Sequence, residues 1–334
     1  MPRHSIVVNE LDERQPMVSL IVPTYNREEV LCRTLGHLFE QDYPNYEIVV
    51  VDQTVQHTSE TEQFMARNSE RLRHIKLERP SLTRARNAGI LHARGAIVLF
   101  LDDDIVPVKS LVSAHVAALL EPGTGAVGAV AGQVLPPDGR RVDTENVGTI
   151  EHRSNIVANF NSTIAGPAVH APGGNTAVWR HLAIEAGMFE PRFAGTAIRE
   201  ETDFYLRLVE MGYGIKFEPR ASILHLALTA GGCGNRRSDT RWYFWFAHNN
   251  TLLALRHPSL LSARKVILSQ WPLFRRKKGI LLLAPWLVAH LYALVSYVRA
   301  LRSLRSARAH ARQQPDARLA SDYDRQKPQV SSNQ

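Results

Sequence analysis

Six consecutive apolar residues, Ala96-Ile-Val-Leu-Phe-Leu101, follow Arg94-Gly95 and run directly into Asp102-Asp103-Asp104. A run of that length with no polar alternation reads as a strand covered on both faces, the habit of parallel sheets held between helical layers. Its acids then emerge at the carboxyl end of the strand, the rim where open α/β sheets bind ligands. Three adjacent carboxylates repel one another unless water solvates them or a divalent cation holds them.

The flanking sequence repeats the strand-and-helix alternation. Val18 to Val22 reads as a first strand stopped by Pro23, followed by a helix carrying Val30, Leu31, Leu35 and Leu38. Tyr46 to Val51 reads as a second buried strand ending at Asp52, Ser59 to Asn68 as a helix, and His74 to Leu77 as a third strand. Thr83 can cap a helix running through Leu91, and Lys109 to Leu120 supplies the next one. The fold expected is α/β, a mostly parallel sheet flanked by helices. A polar stretch from Pro136 to about Pro172 is too long for an ordinary connection and marks a functional excursion. Beyond it, Thr176 to Trp179 and Ser222 to Leu226 read as strands, and Ala183 to Ala186 and Thr202 to Met211 as helices. Gly123-Thr-Gly-Ala-Val-Gly128 fits a dinucleotide fingerprint in its glycines, but it follows a helix and leads into a strand, the reverse of what that fingerprint needs.

The C-terminal part has a different character. Trp242 to Leu255 reads as an aromatic-rich helix, and Gly279 to Val298 is an apolar run that reaches the ~20 residues of a membrane span. Arg275-Arg276-Lys277-Lys278 and the basic stretch from Arg299 to Arg312 flank that run on both sides, so the charge asymmetry that orients a span is absent. The net charge of +8 gathers here, which points to an anionic membrane surface and away from nucleic acid. The organisation expected is an N-terminal extension over 1–17, a catalytic domain over 18–235, a C-terminal apolar, helical, membrane-associating region over 236–300 and a basic, largely disordered tail over 301–334. Cys32 and Cys233 lack paired metal spacing, and Glu10, Asp12 and Glu13 interrupt any apolar leader, so the expected location is the cytoplasmic face of the membrane, peripheral or with one C-terminal segment.

Six segments in order, Val18-Ser-Leu-Ile-Val-Pro-Thr-Tyr-Asn-Arg27, Glu47-Ile-Val-Val-Val-Asp52, Thr83-Arg-Ala-Arg-Asn-Ala-Gly89, Leu99-Phe-Leu-Asp-Asp-Asp104, Gly173-Gly-Asn175 and Glu200-Glu-Thr-Asp203, resemble the family 2 glycosyltransferases, whose nucleotide-binding fold is called GT-A. The resemblance runs from Val18 to Leu226, and its specificity lies in the order of the segments, because each is weak alone. It implies a metal-dependent, inverting transfer of a sugar from a nucleotide-diphosphate donor, a UDP-sugar in the first instance. The acceptor it implies is a hydroxyl on a lipid-linked glycan or a cell-surface polysaccharide precursor.

The donor-binding residues it implies are Pro23, Tyr25, Asn26, Asp52 for the base, Arg84, Arg86, Asn87, Asp102 for the nucleoside, Asp103, Gly174 and Asn175. A Mg2+ or Mn2+ ion would be held by Asp104, with Asp102 and His225 as further candidates. Glu201 stands where the family places its general base, with Glu in place of Asp; Glu200 is the alternate and Asp203 a supporting acid. Bland readings stand beside these: Asp52 caps a turn, Asp103 is a solvated turn residue, one of the two arginines is surface charge, and acids suit the first turn of any helix. Two other functions compete, a haloacid-dehalogenase-type phosphatase using Asp102 as nucleophile and a non-catalytic adaptor on a membrane surface.

Overall fold

The computed structural model describes residues 15–121, 126–195, 197–228, 231–232, 240–278 and 283–311. The chain before Gln15, Cys233, the tail beyond Ala311 with its stretch Pro328 to Gln334, and parts of the 123–128 and 279–298 runs therefore lie outside the described residues. The first half alternates as its apolar runs require: β1 (Val18–Thr24), α1 (Glu29–Leu38), β2 (Tyr46–Asp52), α2 (Ser59–Arg67), β3 (Leu72–Lys76), α3 (Leu82–His92) and β4 (Ile97–Leu101). Strands β3, β2, β1 and β4 lie side by side in that order, all parallel. β1 continues through Pro23, where the sequence predicts a stop. Pairing with β4 ends at Ile21, so the missing N–H of Pro23 costs no ladder bond on that side.

β4 divides its side chains between two cores. Val98 and Phe100 pack with Ala85, Ala88, Phe189 and Phe204 on one face, and Ile97, Leu99 and Leu101 pack with Leu31, Leu35 and Val116 on the other. All five strand residues are shut off from solvent. Burial of such side chains contributes about 1.5–3 kcal/mol each, which is what holds the acids that follow at a fixed place.

The second half departs from the expected parallel order. After β5 (Ile105–Pro107), α4 (Leu111–Leu120) and β6 (Val127–Leu135), the polar excursion forms β7 (Thr149–Glu151), β8 (Asn155–Val157) and β9 (Gly166–Ala168). β10 (Asn175–Trp179) then inserts between β4 and β6, antiparallel to both. Its first residue pairs with the last residue of β4, Asn175 with Leu101, so β10 starts at the rim where β4 ends and can only run back. α5 (Arg180–Glu185), α6 (Glu200–Glu210) and the long β11 (Gly214–His225) complete the domain; β11 pairs with β6 in parallel and brings His225 to the same rim.

Three helices close the described chain: α7 (Thr240–Arg256), α8 (Ala263–Lys278) and α9 (Leu283–Ala311). α7 packs on the domain through Leu252 and Leu253 against Phe193 and Leu206. The described part of the 279–298 run belongs to α9, and among the described residues no helix is long and apolar enough to cross a membrane.

Asp203, on α6, fastens α7 to the domain. Its buried carboxylate meets Arg207 (3.0 Å) on its own helix, Arg256 of α7, and His257 (3.0 Å) just beyond α7. Burial alone would raise this carboxyl; Arg207, His257 and Arg256 together override it and hold it far below the ordinary range. A lowered folded-state value means that Asp203 stabilises fully above the unfolded-state pKa of ~3.9 and that this contribution fades as pH falls below it. Asp203→Asn is expected to cost about 1–3 kcal/mol at neutral pH, and the difference from wild type should shrink in urea titrations repeated toward pH 3.

Candidate active site

The carboxyl rim of β1, β4 and β11 opens into a cavity of about 780 Å³, lined by Asp102, Asp103, Asp104 and His225 and, from the start of α6, by Glu200 and Glu201. Asp103 and Asp104 are buried, 6% and 3% exposed, so the acid cluster is no solvated turn. Asp103 accepts a hydrogen bond from the Thr24 hydroxyl (2.7 Å) and lies 3.7 Å from Arg27, while Thr34 donates to its backbone carbonyl (3.0 Å). Burial pushes the Asp103 carboxyl up to about 7 against those two partners. Asp104 accepts from the Leu228 N–H (3.0 Å), lies 3.3 Å from Arg27, and faces His225 Nε2 at 3.1 Å. Burial works to raise Asp104; His225, Leu228 and Arg27 outweigh it, and the carboxyl is lowered. The hydrogen bond that His225 donates to Asp104 in turn raises the imidazole.

Asp102 is the more open member. Its Oδ2 lies 3.7 Å from His225 and its Oδ1 3.7 Å from Arg86. Glycines press on it: a Cβ on Gly174 would come within 2.0 Å of Asp102 Oδ2, and one on Gly173 within 2.7 Å of Arg86 Nη2. A side chain at either position would have to displace the Asp102 carboxylate or the Arg86 guanidinium.

Arg86 and Arg84 separate cleanly. Arg84 faces solvent, outside the cavity, whereas Arg86 is buried and joins α3 to α6 through an ion pair of its Nη1 with Glu200 Oε1. Burial opposes the Arg86 charge, but Glu200 and Asp102 overcome it and raise its pKa. Burial likewise pushes Glu200 up to about 8, against the pull of Arg86. Glu201, one residue on, is half-buried and lines the cavity.

Several expected donor contacts have other work. Asp52 is fully buried and does not line the cavity; its Oδ1 accepts from the Thr54 N–H (2.8 Å), and its Oδ2 meets His57 Nε2 (3.1 Å), His74 Nε2 (3.0 Å) and Lys76 Nζ (2.8 Å). Its neighbour Gln53 lines the cavity instead. Asn87 exchanges hydrogen bonds with the backbone of Phe189 in both directions, each 2.8 Å, and Asn175 donates to Gln133 (2.9 Å) and Ala221 (2.8 Å) while His115 reaches its Oδ1 (2.9 Å). Both amides are therefore fold contacts, not cavity walls. Asn26 is exposed with a left-handed φ of 51° and donates its N–H to Thr54 Oγ1 (2.8 Å); Pro23 and Tyr25 line the cavity as expected. Asp203, 0% exposed and tied to α7, stands outside it.

Arg27 is the residue that sequence reasoning passed over. It is 7% exposed, reaches Asp103, Asp104 and the Leu228 carbonyl (3.2 Å), lines the cavity, and among the described residues leaves Nε and Nη1 without a hydrogen-bond partner. Buried guanidinium donors without acceptors are costly, and a phosphate oxygen would satisfy them.

The family described as Glycosyl transferase family 2 matches residues 19–183. The glycosyltransferase AglE of Haloferax volcanii is 33% identical over 117 residues, 34% of this chain and 38% of that protein. The poly(ribitol-phosphate) beta-N-acetylglucosaminyltransferase TarS of Staphylococcus aureus is 39% identical over 92 residues, 26% of this chain and 16% of that protein. The matches thus span well under half of each relative. In fold, the chain resembles mannosyltransferase PcManGT from Pyrobaculum calidifontis, solved with GDP-Man and Mn2+, with a TM-score of 0.53 at 22% identity over 91% of this chain and 82% of that one. It also resembles S. aureus TarS 1-349, with a TM-score of 0.57 at 18% identity over 82% and 78%. The α/β domain is a GT-A fold, and its residues 19–183, just under half of the chain, match glycosyl transferase family 2.

Proposed function

We propose that the chain is an inverting glycosyltransferase that moves a sugar from a nucleotide-diphosphate donor to an acceptor hydroxyl in the assembly of a glycan or a lipid-linked polysaccharide precursor. One observation carries the reading: a single cavity is lined by Asp102, Asp104 and His225, at the ends of β4 and β11, and by Glu201 at the start of α6. The first three suit a leaving diphosphate, and Glu201 suits a base that takes the acceptor proton, the two parts a single in-line displacement requires.

A divalent cation fits Asp104 and His225 in part. Among the described residues no group of three or more His, Cys, Asp or Glu side chains is arranged to hold an ion. Asp104 Oδ1 and His225 Nε2, 3.1 Å apart, nevertheless offer two donors on one side, and Mg2+ and Mn2+ ordinarily complete such sites with phosphate oxygens and water. Bound there, the ion would offset charge on the leaving diphosphate. Arg27, two of whose donors lack a hydrogen-bond partner among the described residues, stands beside the same carboxylates and is placed to meet a phosphate oxygen as well. Solved structures of the same fold carry Mn2+ with GDP-Man, and UDP-GlcNAc, which supports a nucleotide-sugar donor and leaves UDP as the base to be tried first.

The rival readings explain less. A membrane adaptor would leave the acids as solvated surface, yet Asp103 and Asp104 are buried. A phosphatase built on Asp102 gives no part to Glu201 or to the family 2 match.

The deciding experiment screens UDP- and GDP-sugars for binding and slow hydrolysis with Mn2+ or Mg2+. One UDP-sugar is expected to be hydrolysed with release of UDP, and Asp104→Ala to lower its binding at least about tenfold. Release of inorganic phosphate from monoesters, or no binding of any nucleotide-sugar with either metal, would sink the reading.

A further inference from the structure

α9 turns its large apolar side chains outward. At 3.6 residues per turn, Leu287, Val288, Leu291, Leu294, Val295 and Val298 fall within about half of the helix circumference, and they are 38% to 65% exposed. The opposite face is small or polar: Ala289 and Ala293 are fully buried, Ser296 meets His248 (3.1 Å), and His290 meets Thr251 (2.7 Å), both on α7. A helix at a watery surface has the reverse arrangement. α8 extends the apolar surface with Leu268 and with Trp271, whose ring meets Trp286 at 5.4 Å.

Charge identifies the occupant. Residues 240–311 contain twelve Lys and Arg and no Asp or Glu. A second copy of the chain would bring two strongly basic helical regions together, and the tail beyond Ala311 has too few apolar residues to cover the stripe. An anionic bilayer offers both what the stripe lacks and what the charge seeks.

We propose that the outward face of α9, joined by Leu268 and Trp271 of α8, docks the protein on an anionic lipid surface with α9 lying in the interface. α7 connects that surface to the cavity: Asn249 donates to the Ala194 carbonyl (3.1 Å), and Asn250 accepts from Arg199 (3.0 Å), the residue preceding Glu200. Resting on the glycosyl-transfer reading, this connection sets the Glu201 wall near a lipid-linked acceptor; the docking itself does not depend on that reading.

The test co-sediments the full chain with vesicles of phosphatidylcholine, alone or mixed with phosphatidylglycerol. Wild type is expected to sediment with the mixed vesicles and to stay largely in solution with the neutral ones. The double variant Leu291→Asn/Val295→Asn keeps the net charge and should partition at least about tenfold less. A second pair, Leu287→Asn/Leu294→Asn, should behave alike, and circular dichroism and melting curves establish that each variant is folded. Equal sedimentation of folded variants and wild type would overturn the proposal. So would equal binding to neutral and anionic vesicles, or a solution dimer that the substitutions split while vesicle binding persists. Donor hydrolysis is read without vesicles, so a failure there and a failure to dock remain distinguishable.

Discussion

Glu201→Gln is expected to lower turnover by about 10²–10⁴-fold while leaving donor affinity within about twofold, because the amide keeps the volume and polarity of the side chain and loses only its ability to take a proton. Geometry selects Glu201 over its neighbour. Glu200 is 2% exposed, and its Oε1 is committed to Arg86. A base bound so tightly to a guanidinium cannot turn toward an acceptor without leaving that cation buried and unpaired. Glu201 is half-buried on the first turn of α6, lines the cavity, and has the helix N-terminus to favour its charge. Glu201→Asp shortens the reach by one methylene but keeps a carboxylate, so it should retain more activity than the amide. Single-turnover rates and donor titrations on the same preparations separate the two effects. A donor affinity that falls in step with turnover would move Glu201 from the acceptor side to the donor side.

The fold and the site were legible to different depths. Strand β4 and its acids could be read directly, because an unbroken apolar run has one inexpensive solution and its end is fixed by the first charge. Antiparallel β10 could not, since its five residues look like any buried strand and its direction is set by pairing across the sheet, Asn175 against Leu101. Among site residues, the motif gave type and order but not direction. Asn87 and Asn175 sit in the expected segments yet spend their amides on Phe189, Gln133 and Ala221. Asp52 ends its strand as expected, but His57 and His74 arrive from a loop and a neighbouring strand and enclose it; no local pattern announces such an encounter. Arg84 and Arg86 differ by two positions and thus by slightly more than a helical half-turn, enough to send one to solvent and the other to Glu200. Arg27 carried no periodic or spacing signal, and its importance comes from β11 and the segment after it folding back, with the Gly232 N–H on the Tyr25 carbonyl at 2.8 Å.

Removing Arg86 should be far worse than neutralising its partner. Arg86→Met deletes the one cation that meets Glu200 among the described residues and leaves that acid buried near Glu201 and Asp102, both of which disfavour a further negative charge. Breaking a buried pair in this way costs about 3–5 kcal/mol. Glu200→Gln leaves Arg86 an amide oxygen in place of the carboxylate and keeps Asp102 at 3.7 Å, so its cost should be nearer 1–3 kcal/mol. The double variant Arg86→Met/Glu200→Gln relieves the stranded acid and should recover part of the loss, giving a favourable coupling energy in urea denaturation. The same pair orients the site, because Arg86 holds Asp102 on one side and α6 on the other. Arg86→Met should therefore weaken donor binding as well as stability, and the double variant should regain stability without regaining donor affinity. If affinity returned with stability, Arg86 would be serving the fold alone, and the link from Asp102 to the base-bearing helix would lie elsewhere.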